Sequence, residues 1–273
     1  MVETFVGWER AGVVGTDWHV VTVGDFKVLD PAALLTEPNS PESEFSVEIS
    51  RLTMASKDPG DHAKAMIYTN QSFPTGGGLS LRADMAVTTF GTEANPYGLD
   101  AGDPRLVSGS VAFLDDSSGV VLNFEVSSTR VMALREVFAV VAPGGVRSDF
   151  KALAHPILTD TLIQPSSWHT YEIRYHPGDD GFVTPGPDSA EWYVDGNLVQ
   201  ATEWVASAEP PACPVMKPIR FRAGMAVFTL LDNLPDGRGG DIPGPDPNYT
   251  QTVFGQGIRV AWKNVRVTWP LRR

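Results

Sequence analysis

One cysteine stands among the 273 residues, Cys213, set between Pro211 and Pro214. A lone thiol forms no internal disulfide, so nothing here is stapled for an oxidising compartment. No histidine flanks it, which argues against an activated thiolate. Apolar runs are short as well. None approaches the ~18 residues that a membrane-spanning helix needs. Basic residues are few, with 21 Lys and Arg against 33 Asp and Glu, for a net charge of −12. Neutralising a phosphate backbone takes clustered positive charge, so nucleic acid is not an expected partner. The same deficit disfavours an anionic membrane surface. The opening Met1–Trp8 lacks the basic start and apolar stretch of a signal peptide, so a cytoplasmic setting is expected.

Catalytic signatures are sparse too. The five histidines (His19, His62, His155, His169 and His176) show no metal-ligand spacing, and there is no Cys-x-x-Cys. No Gly-x-Ser-x-Gly elbow, phosphate loop or dinucleotide fingerprint occurs, and Gly76-Gly-Gly78 reads as a flexible turn. No cofactor is expected. The Gly-, Pro- and Asp-rich loop from Asp232 to Asn248 has oxygen donors for calcium, but its spacing matches no calcium loop.

Turn formers are plentiful, with 26 Gly and 22 Pro, and they punctuate short segments of period-two alternation. Glu44–Leu52 puts Phe45, Val47 and Ile49 on one side, and Leu79–Thr89 does the same with Leu81, Ala83, Met85 and Val87. Val107–Leu114, Gly119–Ser127 and Val131–Val141 predict a meander. Asp195-Gly196 is the strongest hairpin signal. Gly257–Trp269 predicts a closing strand with a bulge between Trp262 and Val265, and Pro31–Ser43 predicts a loop with a helical turn at Ala32–Leu35. Many strands and almost no helix predict an all-β, two-sheet antiparallel jelly-roll sandwich, one domain spanning 1–273.

Two sets of residues carry a family resemblance. The strand Trp168-x-x-Tyr-Glu-Ile-Arg-Tyr175, followed by the hairpin Trp192-Tyr-Val-Asp-Gly-x-x-Val199, resembles concanavalin A-like lectin/glucanase jelly rolls. Tyr68-Thr-Asn70, Gly91–Gly98, Asp103-Pro-Arg105, Arg222–Asp232 and Gly255-Gln-Gly257 resemble an actinobacterial family of unknown function with that architecture. The resemblance implies the fold and a bacterial cytosolic setting, and it transfers no catalytic residue. Jelly-roll glucanases carry their acids as Glu-x-Asp-x-x-Glu on one strand. Asn123-Phe-Glu125 and Glu172-x-Arg174 come nearest here, and both lack the second acid.

With those motifs missing, the expected function is a cofactor-independent cyclase or isomerase holding an apolar small-molecule substrate in a cavity of the sandwich. The alternative is a non-catalytic carbohydrate- or small-molecule-binding module. Polar residues that interrupt apolar strands nominate the site. Glu125, Arg222 and Asp232 are the candidate catalytic groups, and Tyr68, Asn70, Glu93, Asn95 and Tyr97 the candidate binding groups. For Glu125 and Arg222 the plainer alternative is a buried ion pair linking the sheets.

Overall fold

A computed structural model describes residues 2–4, 18–23, 45–49, 64–90, 108–115, 117–137, 151–154, 157–158, 166–178, 187–203, 218–228 and 257–271. These segments hold sixteen strands and, among the described residues, no helix. The first eight are β1 (Val2–Thr4), β2 (Trp18–Val23), β3 (Phe45–Ile49), β4 (Lys64–Thr69), β5 (Phe73–Pro74), β6 (Leu79–Phe90), β7 (Ser108–Leu114) and β8 (Val120–Val126). The others are β9 (Val131–Val137), β10 (Lys151–Ala154), β11 (Ile157–Leu158), β12 (His169–His176), β13 (Ser189–Val194), β14 (Asn197–Glu203), β15 (Arg220–Phe228) and β16 (Gly257–Thr268).

The strands form two antiparallel sheets. One has seven strands in the order β1-β16-β6-β12-β13-β14, with β3 also on β16. The other has nine in the order β10-β9-β8-β7-β15-β4-β2, with β11 on β9 and β5 on β15. Strands distant in sequence lie side by side in both, as a jelly roll requires. The predicted meander is β7-β8-β9. The helical turn predicted at Ala32–Leu35 lies outside the described residues.

Alternation decides which side chains meet between the sheets. From the seven-stranded sheet come Leu81, Ala83, Met85 and Val87, then Tyr171, Ile173 and Tyr175, then Trp192, Val260 and Trp262. The nine-stranded sheet answers with Val111, Phe113, Leu122, Phe124, Ala133, Phe221 and Met225. Each fully buried Val, Leu, Ile, Phe or Met side chain among them contributes about 1.5–3 kcal/mol. Aromatic edges lock the layers, with Phe124 against Tyr171 at 5.2 Å and Tyr175 against Phe221 at 5.3 Å between ring centroids. Gly109 lies where a Cβ would come within 2.8 Å of both Val260 methyls, so only hydrogen fits there.

Turn chemistry fixes the register. Asp195 (φ 50°) and Gly196 (φ 80°) take the left-handed conformations of a two-residue hairpin between β13 and β14. The predicted bulge of β16 falls between Lys263 and Arg266, with Asn264 at φ 53°. At the β7–β8 turn, Asp115 accepts from the Ser117 and Ile219 N–H groups and from the Ser117 and Ser118 hydroxyls. Burial raises the pKa of this carboxyl, but the four donors outweigh burial and hold it below its ordinary value. One carboxylate thereby ties a hairpin to the segment entering β15.

Candidate functional site

With the core between the sheets filled, chemistry falls to the two outer faces. The nine-stranded sheet is the unusual one. Phe124 and Val126 point into the core, so Asn123 and Glu125 point out. Both are nevertheless wholly buried, as are Ser108 and Ser110 on neighbouring β7. The ladder aligns these residues in rows. One runs Met132, Glu125, Ser110, Ala226; the next runs Leu134, Asn123, Ala112, Gly224, Tyr68. The register places His19 of β2 beside Tyr68.

Small residues occupy the centre of these rows. Ser110 and Ala112 of β7 and Ala226 and Gly224 of β15 make a two-by-two block of short side chains. Asn123 and Glu125 wall it on one side, with Tyr68 on the other. At Gly224 a Cβ would sit 3.1 Å from both the Ile67 carbonyl oxygen and the Tyr68 Cβ, so glycine there lets the tyrosine lie close to the floor. Arg222 closes one end, its guanidinium 5.2 Å from the Tyr68 ring centroid. Burial is graded across these rows. Glu125, Asn123 and Ser110 are inaccessible, whereas Ala112, Leu114, Gly224, Tyr68 and Arg222 are partly exposed.

Hydrogen bonding at the buried wall is incomplete. Glu125 accepts from the Ser108 hydroxyl on one oxygen and from Asn123 Nδ2, at 2.5 Å, on the other. The Ser110 hydroxyl and Asn123 Oδ1 have no partner. Each such group costs about 1–3 kcal/mol of desolvation while it stays unpaired. The same two residues are held from beneath. Trp262 Nε1 donates through the core to the Ser110 carbonyl at 3.2 Å, and Trp192 Nε1 donates to the Asn123 carbonyl at 3.0 Å. Core tryptophans of one sheet thus fix the backbone that presents the two orphaned side-chain atoms on the other.

The outer face of the seven-stranded sheet behaves differently. Arg174 Nε donates to Glu172 at 2.7 Å and its guanidinium stacks on Tyr193 at 4.1 Å, while Tyr193 Oη donates to Glu191 at 2.7 Å. His176 Nε2 lies 3.1 Å from the same Glu191 oxygen. The Glu172 bond raises the Arg174 pKa above its ordinary value, as in a satisfied surface network. Among the described residues, no group of three or more His, Cys, Asp or Glu is arranged to hold a metal ion.

The nominated residues divide accordingly. Glu125, Arg222 and Tyr68 share the outer face of the nine-stranded sheet, and Asn70 is exposed where β4 ends. Asp232, Glu93, Asn95 and Tyr97 lie outside the described residues, as does the 232–248 loop. Glu125 and Arg222 do not link the sheets, because both point away from the core. They sit on strands separated by β7, and Arg222 shares its row with Leu114 and Val121. Sequence reading missed Ser108, Ser110, Gly224 and the bracing role of Trp192 and Trp262. The polar, small run Ser108-Gly-Ser110-x-Ala112 within a strand was the available signal.

Three solved structures of similar architecture carry carbohydrate-related names. The laminarinase catalytic domain from Thermotoga maritima MSB8 aligns over 98% of this chain and 95% of its own, with 14% identity and a TM-score of 0.49. The apo Crh5 transglycosylase aligns over 98% and 82%, with 17% identity and a TM-score of 0.44. The Emp47p carbohydrate recognition domain aligns over 96% and 92%, with 10% identity and a TM-score of 0.41. No curated protein matches the chain in sequence. The expectation of a cyclase or isomerase with an apolar substrate between the sheets is corrected: packed side chains occupy the described inter-sheet space. A sequence-family model matches across residues 8–270, nearly the whole chain, and the chain belongs to that family of unknown function, DUF6081.

Proposed function

We propose that this chain binds carbohydrate in the depression over β7 and β15. The observation that carries the reading is the pair of buried, unpartnered polar atoms, Ser110 Oγ and Asn123 Oδ1, beside a floor of small residues. Sugars supply many hydroxyls on a compact ring, and such groups satisfy orphaned acceptors at short range. Tyr68 adds a partly exposed aromatic face of the kind on which a ring stacks.

Binding is favoured over hydrolysis. Both retaining and inverting glycosidases set two carboxyl groups across the scissile bond, about 5–9.5 Å apart. Among the described residues the register puts two acids on this face, Glu125 and Glu136; they stand two rows apart on adjacent strands, and both Glu125 oxygens already accept hydrogen bonds.

Calorimetric titration with hexasaccharides of glucose, galactose, mannose and galacturonate tests the proposal. At least one should bind without release of new reducing ends, and Ala112→Phe, which fills the floor, should weaken it at least about tenfold. Absence of binding to every sugar, or unchanged binding by Ala112→Phe, contradicts it.

A further inference from the structure

Resting on the carbohydrate reading, we infer that the depression engages an uncharged sugar ring as a hydrogen-bond donor, through adjacent hydroxyls, with Glu125 as the positioning residue that turns the Asn123 amide toward it. An asparagine amide has a donating end and an accepting end, and its orientation decides what a ligand must offer. Here the neighbour decides. Glu125 stands two residues along the same strand and the same face, and its Oε1 accepts. Asn123 Nδ2 therefore turns to Glu125 Oε1, at 2.5 Å, and the opposite orientation would set two acceptors against each other. The accepting end, Oδ1, is left buried and unpartnered. From the far side, the Ser108 hydroxyl holds the other carboxylate oxygen, so Glu125 is gripped between two donors.

Ser110 supplies the second point of contact. It pairs across the ladder with Glu125, placing its unpartnered hydroxyl on the strand next to Asn123 and one row away. Residues so related are diagonal neighbours, about 7–8 Å apart. Two hydroxyls on adjacent ring carbons bridge such a span with a hydrogen bond of about 2.7–2.8 Å at each end. A carboxylate or sulfate on the ring meets the opposite situation. It brings acceptors to the Asn123 Oδ1 acceptor, finds a donor only in the Ser110 hydroxyl, and is desolvated for one bond where a pair of hydroxyls makes two.

Oligogalacturonate and its fully methyl-esterified form are a matched pair of hexasaccharide probes, equal in linkage and differing in charge. Titration of the parent chain should show the neutral ester, or a neutral hexose oligomer, bound at least about tenfold more tightly than the free acid. Glu125→Gln offers Asn123 either end of an amide. It should weaken the neutral probe about tenfold and shrink the discrimination to less than about threefold, with the far-ultraviolet spectrum unchanged. If that variant does not fold, Ser110→Ala replaces it and should lose the neutral probe by a similar factor. Equal or tighter binding of the free acid by the parent overturns the inference while leaving the carbohydrate reading intact. Retention of full discrimination by Glu125→Gln overturns the role of Glu125. Binding of no sugar of either kind removes both the reading and the inference.

Discussion

On the outer face of the seven-stranded sheet, charged side chains stand partly in water and saturate one another. Glu172 holds Arg174, and Glu191 holds Tyr193 and His176. On the outer face of the nine-stranded sheet, Ser108, Ser110, Asn123 and Glu125 are wholly buried, and one atom each of Ser110 and Asn123 lacks a partner. Both faces alternate against the same core, so the contrast does not come from strand geometry. A solvated face tolerates many sequences, because exposed ion pairs contribute little. Buried polar atoms left unpaired cost stability, so each calls for a reason.

The tryptophans that connect the core to this second face give the largest expected effect. Trp192→Ala removes a fully buried indole and the donor to the Asn123 carbonyl, and should cost about 3–5 kcal/mol in denaturant unfolding. A loss below about 1 kcal/mol would show that the indole braces nothing. Next comes Asp115→Ala, which strips four donors of their acceptor at the β7–β8 turn and should cost about 1–3 kcal/mol near neutral pH. The folded-state pKa of Asp115 lies below its ordinary value of 3.8, so its contribution is complete above that value. As the pH falls through the folded pKa the contribution is lost, and the gap between parent and variant should narrow below about pH 4. A gap that widens in acid would reverse the assignment. Sugar binding should be unaffected, because Asp115 lies at the turn and not in the depression.

Smaller effects separate the two faces more finely. Arg174→Ala on the seven-stranded side should cost less than about 1 kcal/mol and leave sugar binding unchanged, since its ion pair with Glu172 is partly exposed. Tyr171→Phe is the control for orphaned groups. Its hydroxyl is buried in the core without a partner, and burial pushes its pKa upward. Removing it should be neutral or stabilising by up to about 1 kcal/mol, with no change in binding. A marked destabilisation would mean that the hydroxyl is satisfied after all.

Much of the sandwich was legible in the chain itself. The alternation Leu81, Ala83, Met85, Val87 named one inner face, and Asp195-Gly196 named its hairpin, because period two and positive φ are local properties. The site was legible only in part. Glu125, Arg222 and Tyr68 were singled out as polar interruptions of apolar strands, and all three fall on one face. What sequence spacing does not encode is which strands become neighbours. Ser110 meets Glu125, and Gly224 meets Tyr68, only through cross-strand register between β7, β8, β15 and β4. For the same reason the apolar cavity expected between the sheets was misplaced. Phe113, Phe124, Phe221, Trp192 and Trp262 instead pack into one core cluster.

Ser110→Ala tests the central claim most directly, by thermal unfolding and sugar titration on the same sample. The account predicts a midpoint equal to or above that of the parent, as the orphaned hydroxyl disappears, together with a loss of sugar affinity of about tenfold or more. A lowered midpoint with affinity unchanged would show that the Ser110 hydroxyl serves the fold and not a ligand.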